Sequence, residues 1–207
     1  MARPTNTEAR RREITAALRE VMAQKGYDGA SVNDIATAAR LTPGLVHYHF
    51  KNKLEVLLGL VDDLAAQHRA RLTEALAEAG AEPPTRLASF IDFHLSMRSA
   101  DPEALACWIT VGDEALREPK VRRRYRDAVA AWRDVLSQII DAGVRRRDFR
   151  TKDAVAAAGA VLAAIQGYFA LAAVDRTLIP RGSAARSVRA MAEGLLKTAA
   201  PLPSGPR

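Results

Sequence analysis

Cysteine is almost absent from this chain of 207 residues, and Cys107 is the only one. A single cysteine excludes a disulfide framework within the chain and the paired-cysteine motifs of zinc and redox sites. Cys107 lies beside Trp108 in an apolar run, which favours a buried, inert thiol over a redox sensor. The polar N-terminus lacks the apolar stretch of a secretory signal, so we expect a cytoplasmic protein.

Motifs of enzyme chemistry are lacking as well. The four histidines, at positions 47, 49, 68 and 94, do not stand at the spacings of metal ligands. The sequence contains no glycine-rich phosphate loop, no GxSxG and no CxxC. We therefore expect no catalytic activity, no metal and no cofactor. An enzyme is the alternative hypothesis, and turnover by the purified protein would support it.

Aromatic residues are scarce, at 5% of the chain, although hydrophobic residues make up 48%. The core must therefore be built mainly from alanine, leucine and valine. A sequence rich in alanine and leucine, with few runs of β-branched residues, favours helices. We expect an all-α protein.

One apolar run, residues 154–174, is long enough to cross a membrane. Ten of its 21 residues are alanine and two are glycine, and Asp153 and Asp175 flank it. Such a helix is only weakly hydrophobic and suits close packing between protein helices. We therefore expect no membrane insertion.

Acidic residues are the minority, with 24 against 31 basic residues and a net charge of +7. Residues 1–53 carry nine basic and five acidic residues, whereas residues 54–207 carry 22 and 19. A positive excess at one end suits phosphate binding, because neutralising phosphates releases counterions. Residues 10–12, three arginines, are candidates for an arm that contacts phosphate. The alternative is a solvated helix start.

The pattern of residues 31–53 predicts two short helices joined by a tight turn. The apolar residues of the first helix recur at helical spacing, at Val32, Ile35, Ala36 and Ala39. Ser31 precedes them and Asp34 follows Ser31 by three residues, which is close to a capping box. Leu41, the apolar residue of the turn, should pack between the two helices.

The second short helix should present an unusual outer face. Thr42 is a good N-cap and Pro43 a good first residue, while Val46 and Phe50 supply the buried side. The residues left facing outward are Gly44, Leu45, His47 and Tyr48. Such a face suits a helix lying against DNA, where leucine meets a thymine methyl and histidine or tyrosine donates to a phosphate or base edge. An ordinary helical hairpin that buries its aromatics is the alternative.

Residues 42–53, TPGLVHYHFKNK, resemble the end of the helix-turn-helix of TetR-family transcriptional regulators. In that family a small polar residue, any residue, glycine, an aromatic-rich LYYHF segment and a lysine recur at this spacing. The pair Gly26-Tyr27 also matches, and the motif resemblance covers residues 10–58. His47 departs from the pattern, because the family usually has tyrosine there, but histidine can still donate to a phosphate.

The outward face of the second short helix, which adds Leu45, and the family resemblance together imply a DNA-binding role for nine residues. These are Ser31, Asn33, Thr42, Pro43, Gly44, Leu45, His47, Tyr48 and Lys53. Ser31 and Lys53 would each hold a phosphate, and Asn33 aligns with a position that reads a base in some members. Residues 42–44 would line the groove, and the His-Tyr pair would contact phosphates and bases.

Periodicity and helix breakers predict about nine helices. The expected ranges are about 10–24, 32–39, from 43, 52–79, 85–98, 102–116, 119–144, 152–174 and 184–198, with disordered ends at 1–9 and 201–207. The layout resembles that of the TetR family. It implies a three-helix DNA-binding domain at residues 10–53, with its motif at about 32–51, and a regulatory, ligand-binding and dimerisation domain at residues 54–200.

Two helix-turn-helix units are needed to grip two half-sites one turn apart, about 34 Å, so we expect a homodimer. The alanine- and glycine-rich helix at 152–174, with the helix at 184–198, suits a closely packed four-helix interface. The family resemblance implies the same pair. Burial of residues 152–174 within one subunit is the alternative.

By resemblance, the body should bind a small-molecule effector between helices four and eight. The candidates are large or polar side chains on apolar helices: Phe90, Phe93, His94, Met97, Trp108, Trp132, Gln166 and Phe169. Each of them also suits a plain core position. His94 and Gln166 are the sharper candidates, because buried polar groups need partners and orient ligands in apolar sites. The C-terminal part is faintly similar to the choline-responsive branch, although two tryptophans do not make a cage for a cation.

These expectations combine into one hypothesis. The chain would be a ligand-responsive, sequence-specific DNA-binding regulator, a repressor that a small molecule releases from a palindromic operator in double-stranded DNA. The rival is a DNA-binding architectural protein without a ligand, which would discriminate weakly between sequences.

Overall fold

The computed structural model describes residues 6–95 and 102–203, and within these ranges it is all-α, as expected. The described ranges contain nine α-helices, one 3-10 turn at Arg176–Leu178 and no strand. The helices are α1 (Asn6–Gly29), α2 (Val32–Ala38), α3 (Pro43–His49), α4 (Lys53–Glu78), α5 (Pro83–Leu95), α6 (Pro102–Arg117), α7 (Pro119–Arg146), α8 (Ala154–Val174) and α9 (Ser183–Leu196).

The helices fall into two compact units. The first comprises Met1–His68 and Pro102–Asp127, and the second comprises Arg69–Asp101 and Ala128–Arg207. Helices α4 and α7 each begin in the first unit and end in the second. The functional division between residues 53 and 54 stays a prediction.

Helix α1 is longer than the sequence pattern indicated. It begins at Asn6, so the expectation of disorder is wrong for residues 6–9, while residues 1–5 lie outside the described ranges. Glu8 in its first turn complements the positive end of the helix dipole. At Gly26 the backbone leaves helical geometry, with φ 70° and ψ 175°, and one further turn reaches Gly29. The regular helix is therefore interrupted at Gly26, as the sequence predicted, and a short second stretch follows the kink.

One hydrophobic core joins the helices of the first unit. Its buried members between the start of α1 and the end of α4 include Ile14, Leu18, Ile35, Val46, Phe50, Leu57 and Val61, and those on α6 and α7 include Val111 and Val121. Gly59 permits close packing of α4, because a Cβ there would lie 3.1 Å from both the Phe50 ring and the Thr15 methyl group. This core fixes α2 and α3 against α1 and α4.

The second unit encloses its own core and includes part of the C-terminal tail. Phe149 packs directly against Gly143, where a Cβ would lie 2.1 Å from its ring. Leu202 is buried, and its N–H donates to the Glu193 carboxylate at 2.7 Å. The expectation of a disordered tail is therefore wrong for residues 201–203, and residues 204–207 lie outside the described ranges.

Helices α8 and α9 expose much apolar surface. By length and composition alone, α8 could cross a membrane. Only 28% of its most apolar stretch is buried within the chain, so most of this stretch is exposed in the single chain. The exposed large hydrophobic side chains of this region are Val155, Leu171, Val174, Leu178, Met191 and Leu195. Helix α8 packs beside α9, and both helices leave large apolar side chains exposed.

Candidate nucleic-acid and effector sites

Helix α2 begins with the predicted capping box. The Asp34 N–H donates to the Ser31 hydroxyl at 3.1 Å, and the Ser31 N–H donates to the Asp34 carboxylate at 3.0 Å. The Ser31 hydroxyl donates to the same carboxylate at 2.6 Å, and Lys25 pairs with it at 2.6 Å. Lys25 and Ser31 together hold the pKa of Asp34 well below its usual range. The start of α2 is thus fixed by three side chains.

The turn before α3 and the start of α3 also follow the sequence. Leu41 is partly buried against the core, as expected. Arg40 adopts the left-handed conformation, with φ 56°, where the chain leaves α2. Thr42 caps α3 by accepting the Leu45 N–H at 3.3 Å, and Pro43 is the first helical residue. Local capping therefore sets the direction in which α3 begins.

Helix α3 has one buried and one exposed side. Val46 and Phe50 are buried, at 1% and 3% exposure, whereas Tyr48 is 80% exposed. Seven of the nine residues given a DNA-binding role are exposed: Ser31, Asn33, Thr42, Pro43, Gly44, His47 and Tyr48. Leu45 and Lys53 are half-buried. A short, firmly capped helix thus presents His47 and Tyr48 to solvent while its other side is anchored in the core.

Two basic residues make internal contacts that the sequence pattern did not indicate. Lys53 donates to the carbonyl oxygens of Tyr27 and Asp28, at 2.9 and 3.4 Å. Arg11, one of the three arginines of the expected arm, donates to the His49 carbonyl at the end of α3. Burial, reinforced by nearby carboxylates, raises the pKa of Tyr27 to about 12, so its phenol stays neutral. Because it donates to these two carbonyl oxygens, the ammonium of Lys53 is engaged within the protein.

In the second unit, four aromatic rings surround the buried His94. Ring centroids of Phe90 and Phe93 on α5 lie 4.5 and 5.1 Å from that of His94. Those of Trp132 on α7 and Phe169 on α8 lie at 6.1 and 6.5 Å. Three helices thus bring five of the eight effector candidates together, and we call these five residues the His94 cluster.

The other three effector candidates lie elsewhere or have no described contact with the cluster. Gln166 is half-buried on α8, one turn before Phe169. Trp108 belongs to the first unit, where its ring centroid lies 5.9 Å from that of Tyr125. Met97 lies outside the described residues. The candidate effector site is therefore the His94 cluster, together with Gln166, which lies on α8 one turn from Phe169.

His94 is neutral at neutral pH. Its Nδ1 lies 2.8 Å from the Phe90 carbonyl oxygen, which can only accept, so Nδ1 carries the proton and Nε2 is the acceptor. Burial lowers the pKa of His94 to about 4, although the bond to Phe90 opposes the shift. The cluster is therefore an aromatic environment to which His94 adds no positive charge.

The lowered pKa of His94 predicts acid sensitivity of the second unit. Between the ordinary value of 6.5 and about 4, the unfolded chain binds a proton that the folded chain excludes. Stability therefore falls as pH decreases through this window, by about 3 kcal/mol in total from this group. Urea unfolding of the wild type and of His94→Phe, at pH 7 and near pH 4.5, measures the effect. Equal losses in both proteins would show that His94 does not contribute.

Sequence comparison assigns the family. Residues 14–60 match the sequence profile of bacterial regulatory proteins of the tetR family, and residues 83–197 match that of BetI-type transcriptional repressors, C-terminal. The chain belongs to the TetR family of transcriptional regulators. The expectation from the helix-turn-helix motif is confirmed, and this is a family of regulators rather than of enzymes.

Individual relatives of this TetR-family protein are distant. The HTH-type transcriptional regulator BetI of Rhizobium meliloti (strain 1021) is 28% identical over 114 residues, covering 55% of this chain and 56% of that protein. The fatty acid metabolism regulator protein of Bacillus subtilis (strain 168) is 25% identical over 139 residues, covering 67% and 70%. The chain thus matches little more than half the length of the first relative.

Solved structures agree on the fold. A transcriptional regulator from Saccharomonospora viridis, in complex with choline, superposes with a TM-score of 0.74 at 24% identity. The match covers 89% of this chain and 93% of that one. At this identity the likeness shows the fold of the TetR family and leaves the effector open.

Proposed function

We propose that this TetR-family regulator is a homodimeric cytoplasmic repressor that reads a palindromic operator and is released from it by a small molecule. The exposed side of α3 carries the proposal. Tyr48 is 80% exposed, although Val46 on the same helix and Phe50 directly after it are buried. An exposed tyrosine next to His47, on a short helix that Thr42 caps, suits a face that contacts DNA.

The exposed residues of the motif would divide the work of DNA recognition. His47 and Tyr48 would contact phosphates and base edges, with Asn33 reading a base from α2. Thr42, Pro43 and Gly44 would lie at the groove wall. A side chain at position 44 would meet no protein atom within 4 Å, so glycine there would serve a close approach of the backbone to DNA. Leu45 would meet an apolar group such as a thymine methyl. Ser31 and Lys53 complete the set by resemblance, with the ammonium of Lys53 already engaged internally.

A homodimer through α8 and α9 would explain their exposed apolar side chains. Leu171 and Met191 are 48% and 55% exposed in the single chain. Burial of such side chains against a second copy supplies the hydrophobic free energy that a stable interface needs. A protein partner for α8 also makes membrane insertion unnecessary, so we propose a protein that stays in the cytoplasm.

The effector would bind among the rings of the His94 cluster. Aromatic faces attract cations, and a neutral His94 adds no opposing charge. We therefore propose an effector with a quaternary ammonium group, in keeping with the BetI-type profile and the choline bound by the Saccharomonospora viridis protein. Gln166 and His94 are the polar side chains of this region suited to orient its hydroxyl end.

Helix α4 would carry the effector signal to the DNA. It begins at Lys53, beside the end of α3, and continues into the second unit. Effector binding would favour a state in which α4 shifts, and the spacing of the two recognition helices in the dimer would change with it. For this to release DNA, the effector must bind the two states unequally.

Intrinsic fluorescence tests the effector site. The chain has two tryptophans, so a Trp108→Phe variant reports on Trp132 alone. Choline is expected to change this emission and, in a separate titration, to weaken operator binding. The neutral analogue 3,3-dimethyl-1-butanol has nearly the same shape and is expected to act much more weakly, because it lacks the charge.

The control for this experiment is Trp132→Phe, in which choline should leave the Trp108 emission unchanged. Equal responses to choline and its neutral analogue would mean that the site selects shape rather than charge. No response to either compound, in emission or in operator affinity, would contradict an ammonium effector at the His94 cluster.

A further inference from the structure

Two cations of the first unit make the same kind of contact inside the protein. The Arg11 guanidinium lies 3.9 Å from the centroid of the Phe50 ring and donates to the His49 carbonyl. The Lys53 ammonium lies 4.3 Å from the centroid of the Tyr27 ring and donates to the Tyr27 carbonyl at 2.9 Å. Each cation thus combines an aromatic face with a carbonyl oxygen near the end of a helix.

Both contacts tie one short connection to α1. Residues 50–52 join α3 to α4, and Phe50 is buried, at 3% exposure. On one side, Arg11 reaches from α1 to the last residue of α3. On the other side, Lys53 reaches from the first residue of α4 back to the final turns of α1. Carbonyls at helix ends carry partial negative charge, which a cation stabilises.

The connection between α3 and α4 is therefore held at both ends. A recognition helix reads bases only in one register, so a small change in its direction loses base contacts. Thr42 caps the start of α3, Arg11 contacts the last residue of α3, and Lys53 anchors the start of α4 to α1. Lys51 lies in the same connection, and its side chain is exposed to solvent. It is therefore a suitable comparison for Arg11 and Lys53.

We propose that Arg11 and Lys53 are positioning residues that set the orientation of α3, and that their main role is not to neutralise phosphates. The proposal rests on the DNA-reading role of α3 in the proposed function. It gives Lys53 a role other than the phosphate contact that the family resemblance implied. It also divides the arginines at positions 10–12, because Arg10 pairs with Glu13 while Arg12 is exposed.

Loss of a positioning residue and loss of a phosphate contact change DNA affinity in different ways. Loss of a phosphate contact weakens binding to every duplex about equally and lowers the dependence of affinity on salt by about one ion. Loss of positioning mainly weakens binding to the preferred sequence, because only base contacts depend on the orientation of α3. The ratio of specific to non-specific affinity therefore separates the two roles.

The test uses full-length Arg11→Met and Lys53→Met with two duplexes. One duplex is selected by the wild type from a random pool, and the other has the same length and composition in scrambled order. Affinities are measured between about 50 and about 200 mM salt, the range in which phosphate contacts show most clearly. Each variant is expected to lose about tenfold on the selected duplex, the size of one charged hydrogen bond. Binding to the scrambled duplex and its salt dependence should stay unchanged.

Two further variants serve as controls. Lys51→Met removes one positive charge from the same connection and is expected to leave the ratio of the two affinities unchanged. Arg11→Lys keeps the charge but lacks the flat guanidinium face, and it should recover only part of the loss. A melting curve is recorded for every variant. If Lys53→Met is unfolded at the assay temperature, Lys53→Gln, which retains a donor for the Tyr27 carbonyl, is tested against the same two outcomes.

Equal losses on both duplexes, with the salt dependence lowered by about one ion, would overturn the proposal and make the residue a phosphate contact. Unchanged affinity for the selected duplex in a folded variant would overturn it as well. Failure of the proposed function is recognised separately, because the wild type itself would then bind the two duplexes equally.

Discussion

A Leu171→Glu/Met191→Glu variant is expected to be monomeric and to bind the operator at least about a hundredfold more weakly than the wild type. The proposed interface of α8 and α9 would bury both side chains, which are about half exposed in the single chain. A carboxylate buried there without a partner costs several kcal/mol, and the double change introduces two in each subunit. A monomer grips one half-site, so the gain from linking two binding units is lost.

Sedimentation velocity and operator titration measure the two parts of this prediction. The matched control is Leu116→Glu, which places the same charge on another exposed leucine, 74% exposed on α6. The control is expected to be dimeric and to bind the operator as the wild type does. A double variant that stays dimeric would place the interface on another surface, and a monomer with full operator affinity would contradict the need for two recognition helices.

The DNA-binding end was the most predictable part of the chain, because its signals are local. The Ser31 and Asp34 pair marks the start of α2, and Thr42 followed by Pro43 marks the start of α3. A cap and its partner stand three residues apart, so the pattern depends on nothing distant in the chain. The inward position of Val46 followed from the same short-range periodicity.

Errors arose where distant residues decide the structure. Leu202 is held by burial and by Glu193, so the described chain stays ordered from the end of α9 to residue 203. Arg11 and His49 are 38 residues apart, and Lys53 and Tyr27 are 26 residues apart. No periodic pattern in the sequence predicts a contact between a cationic side chain and a carbonyl oxygen so far away along the chain. In the sequence, Arg11 and Lys53 could be recognised only as positive charges near a phosphate-binding motif.

The effector candidates also depend on tertiary contacts that the sequence pattern does not reveal. Helical spacing placed Phe90 and His94 on related faces of one helix, and their rings do meet in the His94 cluster. Spacing does not reveal which core a helix joins. Trp108 looked equivalent to Trp132 in the sequence, but it packs in the first unit against Tyr125. Composition can therefore nominate aromatic candidates, whereas tertiary packing selects among them.

We expect α3 to read a DNA sequence through its exposed face. Tyr48→Ala tests this face with little risk to the fold, because the side chain is 80% exposed. Loss of a direct base or phosphate contact of this kind costs about 1–3 kcal/mol, or roughly fivefold to 150-fold in affinity. The core beneath α3 is untouched, so the thermal unfolding of the variant should match that of the wild type.

The most direct measurement is a selection of random duplex DNA on the purified wild type, repeated in parallel with Tyr48→Ala. The wild type is expected to enrich a palindrome with half-sites about one helical turn apart, and the variant is expected to enrich it weakly or not at all. Binding of any duplex without enrichment, or the same palindrome enriched equally by both proteins, would contradict sequence reading by this face of α3.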